Sequence, residues 1–226
     1  MGRFLNRFWD APAVAPAPAT FDFTAGGLIP AENCIQAFDP WAASSLAASY
    51  IDLSGNGHNA VVTTPPTLGN GGWVFNGVDQ FVDTGVIALY TYTIAITYTA
   101  VDPDNRSVVA GNDDGMVIFP LRYGVRRYYW GGVGLSSEGD ELSGNCIVSG
   151  QDLGGGYYGK AFWNGVTDIE FEEDPYEGSG TLYIGANNDG GSADDFCPAV
   201  VSRWAVYNIA LTDDQAAALA AAMAVS

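Results

Sequence analysis

Basic residues are scarce in this 226-residue chain: eight Lys and Arg stand against 26 Asp and Glu, with one histidine and three cysteines. The net charge of −18 disfavours nucleic acid and phosphate-rich membrane surfaces, where binding depends on cations that neutralise phosphates. The cations group only as Arg3/Arg7 and Arg122/Arg126/Arg127, so neither nucleic acid nor membrane is an expected partner. The acidity serves solubility in a crowded or salty setting, or it supplies loop carboxylates for Ca²⁺. With His58 as the one candidate base, set in a glycine-rich turn, a Ser-His-Asp or Cys-His site is poorly provided for. Cys34, Cys146 and Cys197 are odd in number and form no CxxC pair. That pattern argues against a disulfide framework or a zinc site and for buried free thiols. Gly154-Gly155-Gly156 runs into Tyr157-Tyr158 without the helix that a phosphate-binding loop needs. No apolar run is long enough to span a bilayer, and the first ten residues do not read as a signal peptide. Synthesis in a cytoplasm is the expectation.

Glycine is plentiful, at 29 copies, while charged residues make up 15%; that balance suits short strands joined by tight turns. Residues 1–20 stand apart. Arg3, Phe4, Leu5, Arg7, Phe8 and Trp9 make a short amphipathic patch, and alternating Ala and Pro follow to Ala19. Such a spacer is extended and semi-rigid, so the segment reads either as an anchoring arm or as a disordered tail. Its large aromatics, costly to leave in water, favour the arm. From Phe21 onward the period is two. Asn76-Gly77 marks a tight turn between two strands. In residues 90–101, Tyr92, Ile94, Ile96 and Tyr98 share one face and Thr residues take much of the other, as in a half-buried strand. Further strands are expected near 106–110, 115–121, 125–132, 145–150, 158–163, 167–172, 181–186 and 199–208, with a turn at Asn164-Gly165. Thr212-Asp-Asp-Gln215 is a capping box. It opens an Ala-rich helix to about Met223, with Leu211, Ala218, Leu219 and Met223 expected to face the sheet.

Several segments, in order, resemble one family. They are Tyr50-Ile-Asp-Leu-Ser-Gly-Asn-Gly-His-Asn-Ala60, Val74-Phe-Asn-Gly-Val-Asp-Gln-Phe-Val82, Phe162-Trp-Asn-Gly-Val166, Leu182-Tyr-Ile-Gly-Ala186 and Val201-Ser-Arg-Trp-Ala-Val-Tyr-Asn-Ile-Ala-Leu-Thr-Asp-Asp-Gln215. Over roughly residues 40–224 the chain resembles the laminin-G-like jelly-roll domains of the concanavalin A-like lectin/glucanase fold. The resemblance implies an all-β, two-sheet antiparallel sandwich over residues 21–226 with a short C-terminal α-helix. In it Phe75, Tyr207 and Leu211 would fill core, and Asp52 and Asp79 would cap turns. Pro198 departs from the family pattern and suggests an edge or a bulge.

The fold serves many tasks, so function has to come from individual residues. Asp168-Ile-Glu-Phe-Glu172 puts three carboxylates on one strand face, which makes Glu170 and Glu172 the candidates for a glycoside hydrolase. The acidic residues that follow read instead as a solvated edge, and a non-enzymatic role is expected. Asp113, Asp114, Asn187 and Asp189 are candidate Ca²⁺ ligands in loops; laminin-G-like relatives hold this ion at a sandwich rim. No other cofactor is expected. Arg122, Arg126, Arg127, Tyr128, Trp130 and Trp163 are candidates for a glycan or protein contact, although alternation sends about half of such aromatics into the core.

Two classes of function follow. One is a virion structural protein, displayed on a bacteriophage as a capsid decoration or tail adhesin and docked on the major capsid or tail protein through residues 1–20. The other is a cellular carbohydrate-binding or adhesion module contacting a cell-surface glycan. A homo-oligomer is compatible with either. If the arm anchors the protein on virus particles, deleting residues 1–20 releases it from them in a co-sedimentation assay; a deleted chain that still sediments removes the arm from consideration.

Overall fold

A computed structural model describes residues 20–87, 91–101, 107–112, 116–122, 125–130, 133–137, 139–153, 156–173 and 180–224. The arm candidates Arg3, Phe4, Leu5, Arg7, Phe8 and Trp9 and the Ca²⁺ candidates Asp113 and Asp114 lie outside these residues. Two antiparallel sheets face each other. The larger has eight strands: β1 (Cys34–Phe38), β2 (Thr67–Gly69), β3 (Gly72–Val74), β5 (Tyr92–Ala100), β10 (Ser143–Asp152), β11 (Tyr157–Trp163), β12 (Val166–Glu173) and β16 (Ala199–Tyr207). Its order is β12-β11-β10-β5-β16-β3-β2, with β1 also paired to β16. The smaller has six, in the order β4 (Val82–Ile87), β13 (Thr181–Ile184), β6 (Ala110–Asn112), β7 (Met116–Arg122), β8 (Val125–Trp130) and β9 (Val133–Ser136). A small hairpin, β14 (Asn187–Asp189) with β15 (Ser192–Asp194), lies at one end. A single turn α1 (Leu46–Ser49) and the helix α2 (Asp213–Met223) complete the chain. This is the all-β two-sheet sandwich with a C-terminal helix that the sequence patterns imply.

β5 shows how the layers form. Tyr92, Ile94, Ile96 and Tyr98 point between the sheets, where they join Phe38, Trp73, Trp204 and Ile118 in the main core. The opposite face was expected to be half exposed, yet Thr93, Ala95 and Thr97 are buried too. The cause is a second apolar layer. Ala216, Leu219, Ala220 and Met223 of α2, with Phe21 and Ile29 before β1, cover Ala95, Ile147, Phe162 and Tyr207 on the outer face of the large sheet. Ala218 is partly buried beside them.

Turn chemistry places the connections. Asn164 and Gly165 have φ of 51° and 81°, the two left-handed residues of a type I′ turn, and they join β11 to β12 as a hairpin. Asn76-Gly77 behaves differently from its expected hairpin. It carries the chain from β3 in the large sheet to β4 in the small one. Asn76 Oδ1 accepts the N–H groups of Val78 and Asp79 at 2.9 and 3.3 Å, a local turn that needs no strand pairing. Pro198 lies against Gly77, where an added Cβ would come within 2.6 Å of it. Pro198 itself immediately precedes β16. The expected bulge falls instead at Ser202, where the β16–β5 register jumps from Val201 to Arg203. Asp52 caps as expected, accepting from the N–H groups of Ala37, Ser54 and His58 at 3.0, 2.9 and 3.1 Å. His58 is thus a turn residue. All three cysteines are buried and free.

A short Ala-rich helix is marginal by itself; its first end is capped by its own residues and its last by side chains of the large sheet. The predicted capping box is present: Thr212 Oγ1 accepts from Gln215 N, and Gln215 Oε1 accepts from Thr212 N. At the other end, Asn145 Nδ2 donates to Ala220 O at 3.0 Å and Thr97 Oγ1 to Met223 O at 3.2 Å. Arg203 donates to Ala222 O and Ala224 O at 2.7 and 3.1 Å. Its Nε lies 3.4 Å from Asp39 Oδ1, and the other oxygen of Asp39 accepts the Phe21 N–H at 2.8 Å. Both side chains of this ion pair are almost fully buried. Removing one partner strands the other charge, so Arg203→Ala is expected to cost roughly 3–5 kcal/mol in denaturant unfolding. Arg203→Lys, which keeps the charge and loses the fork, should cost less.

Candidate functional site

An open pocket of about 220 Å³ lies on the outer face of the large sheet, beside the start of α2. Strand pairing builds its floor. Ser149 sits directly opposite Lys160 and Gln151 opposite Tyr158 on β10 and β11, with all four side chains on the helix side of the sheet. Between these pairs Gly150 faces Gly159, and the space a Gly159 Cβ would need is filled by the Phe171 ring at 2.1 Å. Ala210, Leu211 and Thr212 form the wall. That wall is pinned by Ser149 Oγ, which accepts the Leu211 N–H at 2.8 Å and bonds Thr93 Oγ1 at 2.8 Å.

Charge in the pocket is tied up locally. Lys160 Nζ lies 2.9 Å from both Glu170 Oε1 and Asp213 Oδ1. The hydrogen bonds to Asp213 and Glu170 hold the ammonium above its ordinary pKa. Those from Lys160 and Tyr158 hold the Glu170 carboxyl below the usual carboxylate range. The ammonium and the Glu170 carboxylate are therefore both charged at neutral pH. Among the described residues no side-chain hydrogen-bond partner meets Gln151, which lines the pocket floor with its carboxamide uncommitted to them. Sequence reasoning missed this site. Alternation places Tyr158, Lys160 and Phe162 on one face, but the partner strand comes from residues 149–151 and the wall from residues 210–212.

Of the expected contact platform, Arg126, Tyr128 and Trp163 are buried rather than presented at the surface. Alternation turns Arg126 and Tyr128 of β8 inward, and Tyr128 and Trp163 are part of the main core. Arg126, with its side chain 3% exposed, stacks at 3.8 Å over the Trp163 ring. Its guanidinium pairs with Glu141 at 2.5 Å and Asp168 at 3.5 Å, and Tyr128 OH donates to Asp168 at 2.8 Å. These residues join the two sheets rather than face a ligand. Arg127 alternates to the other side and is half-buried; Arg122 and Trp130 belong to β7 and β8.

The carboxylate strand is also rearranged. The β11–β12 register skips Asp168, between Ile169 opposite Ala161 and Thr167 opposite Phe162. This bulge turns Asp168 toward Tyr128 of the small sheet, while Glu170 and Glu172 remain on the outer face. The three carboxylates do not share one face. Burial pushes the Cys146 thiol up to about 12, which keeps it protonated and unreactive. Of the Ca²⁺ candidates, Asn187 and Asp189 lie in β14. No group of three His, Cys, Asp or Glu is placed to hold a metal among the described residues.

No protein-family model matches the sequence, and no curated protein matches it. Solved structures do. Domain 4 of AbnA, a GH43 extracellular arabinanase from Geobacillus stearothermophilus, in complex with arabinotriose, is 14% identical with a TM-score of 0.54, over 83% of this chain and 98% of that one. The binding domain of Paraclostridial Mosquitocidal Protein 1 is 12% identical with a TM-score of 0.61, over 84% and 52%. A mutant of Trypanosoma rangeli sialidase displaying trans-sialidase activity is 16% identical with a TM-score of 0.64, over 86% and 34%. The chain thus spans about half and a third of the last two. These likenesses show the fold: a concanavalin A-like, lectin-like jelly-roll sandwich.

The inter-sheet network has a pH signature. The hydrogen bond from Arg126 holds the Glu141 carboxyl below its ordinary value. A carboxyl whose pKa is lower folded than unfolded stabilises the fold above the unfolded value and loses that contribution as pH falls through the folded one. The thermal midpoint should therefore drop as pH falls through and below the ordinary carboxylate range, and Glu141→Gln should reduce the drop. Differential scanning calorimetry across that range checks it; an unchanged slope in the variant would remove Glu141 from the network.

Proposed function

We propose that this chain is a non-catalytic carbohydrate-binding module, and that the pocket beside α2 is its sugar site. The observation that carries the reading is the composition of the pocket floor. It offers a tyrosine that presents a ring, an uncommitted carboxamide, a hydroxyl and an ammonium, and these are the groups that meet sugar faces and hydroxyls. Its size, well under the roughly 300–1,000 Å³ of sites for drug-sized ligands, suits a single sugar ring. The fold supports the reading in a general way. One of its structural neighbours is an arabinanase domain in complex with arabinotriose, and another is a toxin binding domain.

Catalysis is a weaker reading of the same face. A general acid has to keep its proton near neutral pH, whereas Glu170 is held as an anion by Lys160 and Tyr158. No hydrolysis is expected from the intact protein with oligosaccharides. Display on a virion, with residues 1–20 docked on a capsid or tail protein, is a separate proposal that rests on the arm's sequence. It is compatible with sugar binding, since an adhesin or decoration protein needs a ligand-facing domain.

A glycan array followed by calorimetric titration of the best-bound sugar tests the main reading. Tyr158→Ala and Gln151→Ala should each weaken binding about tenfold, near 1.4 kcal/mol, with thermal midpoints unchanged. A protein that binds nothing on the array would sink the proposal. Binding indifferent to both substitutions would place the sugar elsewhere on the sandwich.

A further inference from the structure

The pocket also carries information about which sugars it takes. Lys160 is the one cation that lines it, and its charge is already matched by Glu170 and Asp213, each at 2.9 Å. Together the three groups sum to one negative charge. Glu172, exposed and directly opposite Tyr158, adds another nearby. The start of α2 offers no compensation. Asp213 and Asp214 occupy its first turn, where carboxylates offset the positive end of the helix dipole. Thr212 Oγ1 already accepts the Gln215 N–H. An incoming carboxylate or sulfate would find neither a free cation nor a positive helix end.

A neutral sugar meets a different surface. The ammonium has three N–H donors, and two serve the carboxylates, which leaves one for a hydroxyl. The Gln151 carboxamide supplies a donor and an acceptor side by side, a match for two adjacent hydroxyl groups. Ser149 Oγ is engaged with Leu211 and Thr93 and holds the wall in place. Resting on the reading of this pocket as a sugar site, we infer that it selects uncharged sugars and excludes acidic ones. Gln151 is the specificity-determining side chain, and the Glu170–Lys160–Asp213 triad is the filter against anions.

The test compares neutral oligosaccharides with sialylated, uronate-containing and sulfated ones on one array, then titrates the best neutral binder at low and high NaCl. The unmodified chain should bind neutral glycans with less than about a twofold change in affinity across the salt range, because a hydroxyl contact is little screened. Gln151→Ala and Gln151→Glu should both lose at least tenfold. The decisive variant is Glu170→Gln with Asp213→Asn. Both side chains are more than half exposed, at 52% and 63%, so the fold should persist, as an unchanged thermal midpoint would show. With its two counter-charges removed, Lys160 should now admit acidic glycans, and that new binding should weaken as salt rises. If the unmodified chain prefers acidic glycans and still loses them in Gln151→Ala, the sugar site stands and the selectivity is overturned. The selectivity is also overturned if the double variant gains no acidic binding. A chain that binds no glycan of either kind overturns the sugar reading and the selectivity with it.

Discussion

Arg203 is where three distant parts of the chain are held together. It projects from the central strand β16, pairs with Asp39 just after β1, and caps the last carbonyls of α2. Asp39 in turn receives the N–H of Phe21, the first residue of the outer apolar layer. Everything on the outer face of the large sheet depends on this junction. An Ala-rich helix of three turns has little stability of its own, and it persists because sheet side chains satisfy its orphan carbonyls. The helix then supplies the pocket wall through the residues that precede it. A buried charge in the sheet thereby holds the far end of the helix whose start borders the pocket.

Two bulges do comparable work on side-chain direction. The extra residue at Ser202 shifts the register of β16, and Ser202 Oγ donates to Gly71 O at 2.6 Å while its carbonyl accepts the Trp41 N–H at 3.2 Å. The one at Asp168 turns a carboxylate inward, where Arg126 and Tyr128 satisfy it. Between the sheets a second polar link has the same logic. Gln36 is fully buried, donates to Thr84 O of β4 at 2.8 Å and accepts from Trp204 Nε1 at 3.1 Å. Such buried polar groups are tolerated because their partners are present, and Asp168 and Gln36 each tie one sheet to the other.

What was legible in the sequence was local. The capping box at Thr212, the type I′ turn at Asn164-Gly165, the Asp52 turn and the inward face of β5 each follow from a few neighbouring residues, and each is present. What was not legible depends on pairing between distant segments. Asn76-Gly77 is a good turn in either context, and only the placement of β3 and β4 in different sheets shows that it is a crossover. The cluster of Arg, Tyr and Trp around residue 128 has the composition of a contact surface, yet Arg126 and Tyr128 face inward and are buried. The carboxylates of β12 lose their common face to one extra residue. The pocket itself needs β10, β11 and the approach to α2 together, and no run of neighbouring residues contains all three.

Among the described residues the large aromatics Trp73, Trp204, Tyr98, Tyr128 and Phe162 are fully buried and build the sandwich rather than read a ligand. On the proposed sugar site, that leaves recognition to a smaller polar set beside the Tyr158 ring, with hydroxyl contacts as the main source of discrimination. The charge of the chain then has a consistent meaning. At −18, with screening over roughly 8 Å at physiological salt, the surface repels polyanions at a distance, and the triad around Lys160 repels them again at contact. A domain built this way gains nothing from long-range attraction. On the proposed sugar site, binding comes from fit at the pocket floor, where Gln151 and Tyr158 are held opposite each other by the pairing of two strands.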